Sequence, residues 1–191
     1  MRALRAAGAT ALGVVVILLG GCGVGLQDVA EPLPSGALRT ATPAPSESIT
    51  TRETAICFVN GRTLERVSES ITGNTPDGVM LALAAGPPAK RQGDLRTLLL
   101  DPLTAEPVLS VAGVTSSGEL VVRYKPAFLQ LPATDQFLLV GQVVCSMAGI
   151  GIDQVLLTDP MGQPALVPLP DGRAREGRVT LDDYRSLITE P

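Results

Sequence analysis

Hydrophobic and polar positions divide the chain into three stretches. The first is an apolar run, Ala6 to Leu19, without a single charge. The second, to about residue 51, shows no period of 2 or 3.6. The third begins near Thr54 and patterns as regular structure. Ala55-Ile56-Cys57-Phe58-Val59 is continuously apolar and stops at Asn60-Gly61, the pattern of a strand covered on both faces and followed by a turn. Residues 62–72 are polar, with weak strand character at most. Thr75-Pro76-Asp77 opens a helix: Thr as N-cap, Pro in the first helical position, Asp at the positive end of the dipole. Val79, Leu81, Leu83 and the alanines fill it, and Gly86-Pro87-Pro88 ends it. A strand is expected over residues 95–100. Residues 107–114 and 119–124 bracket Thr115-Ser116-Ser117-Gly118 and read as a hairpin, with Leu120, Val122 and Tyr124 alternating along its second arm.

Pro132-Ala133-Thr134-Asp135 starts the longest helix, running to about Ala148. Phe137, Val140, Val144 and Met147 define its apolar stripe, and Leu138, Leu139 and Val143 widen it. Gly149 and Gly151 end it. Val155 to Thr158 is a strand, residues 164–167 return as a short edge strand, and residues 171–178 read as an exposed polar loop. Leu181 to Ile188, capped by Thr180, forms a last short helix with Leu181, Tyr184 and Leu187 or Ile188 inward. The expected fold is α+β: one domain over residues 52–191, a mixed sheet covered by two helices, with a short C-terminal helix added.

The first apolar run changes the picture of location. Arg2 and Arg5 precede it. At ~1.5 Å per residue it spans about 21 Å, short of the roughly 30 Å of a bilayer's hydrocarbon core, so residues 1–21 read as a signal peptide. The run ends Leu19-Gly20-Gly21-Cys22, which resembles a bacterial lipobox. That resemblance implies cleavage before Cys22 and acylation of its thiol, hence a membrane anchor and a place on the outer face of the cytoplasmic membrane. Residues 22–51 carry Pro32, Pro34, Pro43 and Pro45 among Ser and Thr and read as a disordered tether with a reach of about 30 Å. Thirteen Arg against two Lys suits a GC-rich bacterial genome of the actinobacterial kind.

Composition removes most chemistries. The chain has 191 residues, a formal net charge of −4 and no His. Without His there is no Ser-His-Asp or Cys-His pair and no His-ligated zinc. Three Cys, one of them acylated, cannot build a four-Cys metal site. An acidic chain without clustered Lys and Arg does not suit nucleic acid. Gly149-Ile150-Gly151 lacks the rest of a phosphate-cradling loop. No catalytic residue, metal site or cofactor is assigned.

The order of signals resembles the GerMN domain, a module associated with sporulation and spore germination. The resemblance is carried by Ile56-Cys57-Phe58-Val59, by Ala82-Leu83-Ala84-Ala85-Gly86-Pro87, and by Glu119-Leu120-Val121-Val122. It continues through Gln142-Val143-Val144-Cys145-Ser146-Met147, Ile152-Asp153-Gln154-Val155, Leu169-Pro170-Asp171-Gly172 and Leu181-Asp182-Asp183-Tyr184. It implies a non-enzymatic envelope lipoprotein that meets envelope or membrane proteins, a sensor kinase among them, in envelope assembly, sporulation-type processes or signalling. The alternative is a lipoprotein that carries a lipid, glycan or small solute in an apolar groove under the long helix, lined by Leu138, Leu139 and Met147.

Two cysteines remain after Cys22. In an oxidising setting Cys57, mid-strand, and Cys145, mid-helix, either close a disulfide across the helix–sheet layer or stand as two buried thiols; the proposed sandwich favours the bridge. For partner contact the candidates are Tyr124, an aromatic on the hairpin, and Arg173 and Arg175 in a basic loop.

Overall fold

The computed structural model describes residues 51–189. The signal peptide, most of the tether and Cys22 lie outside the described residues.

The expected first strand is β1 (Thr51–Asn60), with Ile56 to Val59 all fully buried. It pairs along its whole length, antiparallel, with β2 (Thr63–Thr72). Gly61, at φ 58°, takes the first place of the two-residue turn between them, where a primed hairpin turn needs a left-handed residue. The polar stretch 62–72 is therefore a full strand. Its apolar positions, Leu64, Val67 and Ile71, do not share one parity, so no period of 2 is visible. The strand is held by β1 instead. Cys57, Val59 and Leu64 lie on one face, and Ile56, Phe58 and Ile71 on the other.

Helix α1 (Pro76–Ala85) has the predicted cap: the Thr75 hydroxyl accepts the Gly78 N–H at 3.2 Å, and Gly86 ends the helix at φ 82°. The strand expected over 95–100 is absent. Only isolated bridges form there, Val59 with Arg96 and Leu100 with Pro107. The Leu98 N–H goes to the Gln142 side chain and the Leu99 N–H to the Thr97 hydroxyl, which takes that backbone out of any ladder. The predicted hairpin forms as β3 (Leu109–Val114) and β4 (Leu120–Tyr124), with a register shift between Val111 and Gly113.

Helix α2 (Ala133–Ala148) is buried without interruption from Leu138 to Met147. It packs on β1, β2 and α1 and, on its other side, on residues 166–168 and 181–184, so covering extends round its circumference. β5 (Gln154–Thr158) runs parallel to β4. The polar loop expected over 171–178 instead contains β7 (Ala174–Glu176), paired with β6 (Leu166–Pro168), and the start of β8 (Arg178–Thr180), paired with β5. These strands are three residues long, too short to show a period. The expected last helix is α3 (Leu181–Tyr184), continued by a 3₁₀ turn and then by β9 (Ile188–Thr189), parallel to β2.

The fold is α+β. A single mixed sheet does not form: the orders are β1-β2-β9, β3-β4-β5-β8 and β6-β7. Segment 95–100 would have to be a strand to join the first two; it exchanges one pair of backbone bonds with β1, between Arg96 and Val59, and beyond that its Leu98 and Leu99 N–H groups are taken by side chains.

Candidate functional site

The cysteine pair is a disulfide. Cys57 and Cys145 are joined with Cα atoms 5.9 Å apart, closing a loop of 88 residues. Beside it, the buried Ser146 hydroxyl accepts the Cys57 N–H at 2.9 Å and donates to the Gln142 carbonyl at 2.8 Å. One turn earlier, Gln142 accepts the Leu98 N–H at 3.1 Å. This cluster binds α2 to β1 and to the irregular segment 95–100. It is a brace, and its polar atoms are enclosed.

Tyr124 is half-buried, its ring 5.4 Å from that of Phe128, so part of the aromatic surface is used inside the domain. Arg173 and Arg175 are exposed, and both are paired. Arg173 meets Asp171 at 2.5 Å, and this guanidinium holds the Asp171 carboxyl below the usual range. Arg175 meets Asp183 at 2.7 Å. That same Asp183 accepts the Thr180 N–H at 2.9 Å in the capping box of α3. Arg175 thus ties β7 to the C-terminal helix. Glu65 is likewise held below its ordinary range by Arg91 at 2.6 Å, with Asn60 adding a second hydrogen bond. Among the described residues no group of three or more His, Cys, Asp or Glu could hold a metal ion, and no helix is long and apolar enough to cross a membrane.

The apolar groove expected under α2 is not there. Leu138, Leu139 and Met147 are fully buried, because β1, β2, α1, α3 and β6 enclose that helix. An open apolar groove lies elsewhere, between α1 and β3. It has a volume of about 280 Å³ and is lined by Met80, Leu81, Ala84, Leu99, Leu109 and Val111, with Asp77 as the one ionisable group. Leu81, 72% exposed, is its outer wall and also borders a second depression toward β2, where Ile71 and Thr72 lie. The signal for this surface was in the composition of α1. Val79 to Ala85 is seven apolar residues in succession, and a helix apolar all round is either enclosed or leaves an apolar face outside. Patterning alone does not say which.

Compared with known proteins, the architecture is GerMN-like. The chain is similar to the structure of the tandem GerMN domains of the sporulation protein GerM from Bacillus subtilis, with a TM-score of 0.51 at 14% identity, covering 70% of this chain and 48% of that one. The chain therefore spans about half the length of that structure. A second similar structure, provisionally described as a lipoprotein from Clostridium perfringens, has a TM-score of 0.41 at 13% identity over 73% of this chain and 94% of that one. No protein-family profile matches the chain, and no curated protein does.

Proposed function

We propose that this chain is an exported module, held by acyl chains on Cys22 at the outer face of the cytoplasmic membrane, whose GerMN-like domain binds protein. The observation that carries the reading is the open surface of α1. A helix with Leu81 and Ala85 outward and one acid beside them leaves apolar area in water, and such area marks interaction sites. The lipobox ending at Cys22 and the Pro-rich tether support the location. The partners are envelope or membrane proteins, a sensor kinase among them, in envelope assembly, sporulation-type processes or signalling. Binding, with no step of catalysis, is the role assigned. The groove of about 280 Å³ and the depression of about 510 Å³ that meets it at Leu81 are both open to solvent, whereas small-molecule sites enclose most of the ligand's surface. The carrier reading is accordingly not adopted.

The test is chemical crosslinking of the full-length protein in its native membrane, read by mass spectrometry, with the N-terminal mass of the mature chain measured in parallel. Acylated Cys22 and recurrent crosslinks to exported or membrane proteins are expected. An unacylated cytosolic chain, or a stoichiometric small molecule with no protein crosslink, overturns the reading.

A further inference from the structure

The sheet β3-β4-β5-β8 has two unlike ends. At one end the β3–β4 hairpin turns through exposed Ser116 and Ser117, and β5 is entered through Gly151 and Asp153, also exposed. Val114 is the exposed apolar exception there. At the other end three connections lie side by side. Residues 101–106 lead toward β3, residues 125–131 leave β4, and residues 159–163 leave β5. The Lys125 N–H bonds the Val108 carbonyl at 2.8 Å and its ammonium meets Glu106 at 2.9 Å, which joins the first two. The parallel register of Arg123 with Thr158 brings the third beside them. Each connection holds one large apolar side chain outward: Leu103 is 92% exposed, Leu129 59% and Met161 83%. Between the first two, Pro102, Ala127 and Leu131 line a depression of about 160 Å³.

Two of these tips are closed by the same device. The Asp101 carboxylate accepts the N–H groups of Leu103 at 2.7 Å and Thr104 at 3.3 Å, and its carbonyl takes that of Ala105 at 2.8 Å. The Asp101 N–H goes to the Glu106 carbonyl, and the Glu106 N–H to the Thr104 hydroxyl. Ala105 accepts a left-handed backbone, φ 56°, inside this turn. In the other tip the Asp159 carboxylate accepts the N–H groups of Met161 and Gln163, each at 2.8 Å. Its carbonyl takes the Gly162 N–H, and its own N–H goes to Gln163. Pro102, Pro107, Pro160 and Pro164 have no N–H to place. Every backbone donor of residues 101–107 and 159–164 is therefore satisfied within its own turn. At the opposite end the Ser116 and Ser117 N–H groups make no bond among the described residues. Donors already satisfied lower the cost of leaving water, whereas a protein partner is met through hydrogen bonds as well as apolar contact.

We propose that Leu103, Leu129 and Met161 seat this end of the domain in the headgroup–acyl boundary of a lipid bilayer, a second membrane contact besides the acyl chains. The proposal rests on the anchoring at Cys22 put forward above, and it is a contact with lipid, not the protein contact assigned to α1. Protruding apolar tips on three separate connections suit a fluid apolar medium that closes round each of them; exposed apolar area of this kind marks membrane as well as protein contacts. In this pose the tips reach the acyl boundary, and Asp101, Glu106, Lys125 and Asp159 stay among hydrated headgroups. Those four are three acids and one base, so charge does not draw this end to an anionic surface. Apolar area supplies the contact, which is therefore insensitive to salt and to lipid charge.

The chain has no Trp, so one introduced Trp reports its own surroundings. The test uses the full-length protein, extracted from its membrane and reconstituted in vesicles of phosphatidylcholine, alone or mixed with phosphatidylglycerol, with bromine on the acyl chains as quencher. The probes are Leu103→Trp, Met161→Trp and, at the opposite end of the sheet, Ser116→Trp. Quenching and a blue-shifted emission are expected for the first two and not for the third, alike in both lipid mixtures and at low and high salt. Leu103→Asp, at an exposed position that leaves the core intact, is expected to lower the quenching of the Met161→Trp probe about tenfold, since the burial of one large apolar side chain is lost. Protein that floats with the vesicles but shows no quenching at positions 103 and 161, or equal quenching at all three, overturns this seat and leaves the acyl anchor standing. Quenching that requires phosphatidylglycerol and vanishes in salt shows adsorption by charge and overturns the proposal. So does quenching that Leu103→Asp leaves unchanged. Protein that does not float with the vesicles overturns both the seat and the anchoring at Cys22.

Discussion

Ser146 stands next to the disulfide in sequence and serves the same strand by a different bond: its hydroxyl accepts the N–H of Cys57 at 2.9 Å while Cys145 holds the Cys57 sulfur. One residue of β1 is thus gripped by two consecutive residues of α2, through backbone and through side chain. The N–H faces away from β2, toward an edge that no strand covers. Ser146→Ala leaves that buried donor unpaired. A loss of about 1–3 kcal/mol is expected, with the disulfide still formed. Urea denaturation with a parallel thiol count decides it; an unchanged midpoint would show that the bond carries nothing.

The bridge itself makes a larger statement. Closing 88 residues restricts the unfolded chain by about 4–5 kcal/mol in the chain-entropy model. Replacing both cysteines by Ala is expected to cost that order of stability, less whatever the relieved packing returns. Alkylation before and after reduction should find no free thiol at Cys57 or Cys145 in the exported protein. Two thiols reacting before reduction would contradict the structure.

Elements with strong local chemistry were legible in the sequence, and elements defined by distant partners were not. Thr75-Pro76-Asp77 and Gly86 set the limits of α1 through their own backbone preferences, and the hairpin of β3 and β4 announced itself by its turn. The pairing of Cys57 with Cys145 followed from export and from the positions of the two residues on layered elements. By contrast, β2 is a strand only because β1 lies beside it. Segment 95–100 loses its strand because the side chain of Gln142, 44 residues away, takes the Leu98 N–H. The groove was hidden for a related reason. Val79 to Ala85 says that the helix is apolar, and only the placement of β3 says which side stays open. Arg173 and Arg175 looked free because Asp171 and Asp183 were not yet placed.

Gly141 tests the packing of α2. A Cβ there would lie 2.9 Å from the Tyr184 ring and 3.1 Å from a Leu64 methyl. Gly141→Ala gains about 1 kcal/mol of helix propensity and incurs about 1–3 kcal/mol of overpacking. Tyr184 is fully buried and its hydroxyl is bonded to the Pro168 carbonyl at 3.1 Å, so the ring does not step aside. A net loss on the order of 1 kcal/mol is expected. Gly93→Ala, where a Cβ meets open space, is the control and should leave the denaturation midpoint in place.

Tyr184 also makes stability depend on alkali. Burial pushes its phenol above the ordinary value, and the nearby charge of Asp183 pushes the same way. The folded pKa exceeds the unfolded one, which is about 10. Below pH 10 both states hold the proton and the contribution is complete. Above it the unfolded chain releases a proton that the folded chain retains, so stability falls as pH rises toward the folded value. Tyr184→Phe removes this dependence. It also removes the hydrogen bond to Pro168, at about 0.5–1.5 kcal/mol. At pH 7 the variant should therefore be the less stable protein. Between pH 10 and 11.5 the native chain should lose stability faster, and the two curves should converge. Urea denaturation at half-unit steps measures this, and curves that stay parallel across the interval would mean that the phenol titrates alike in both states.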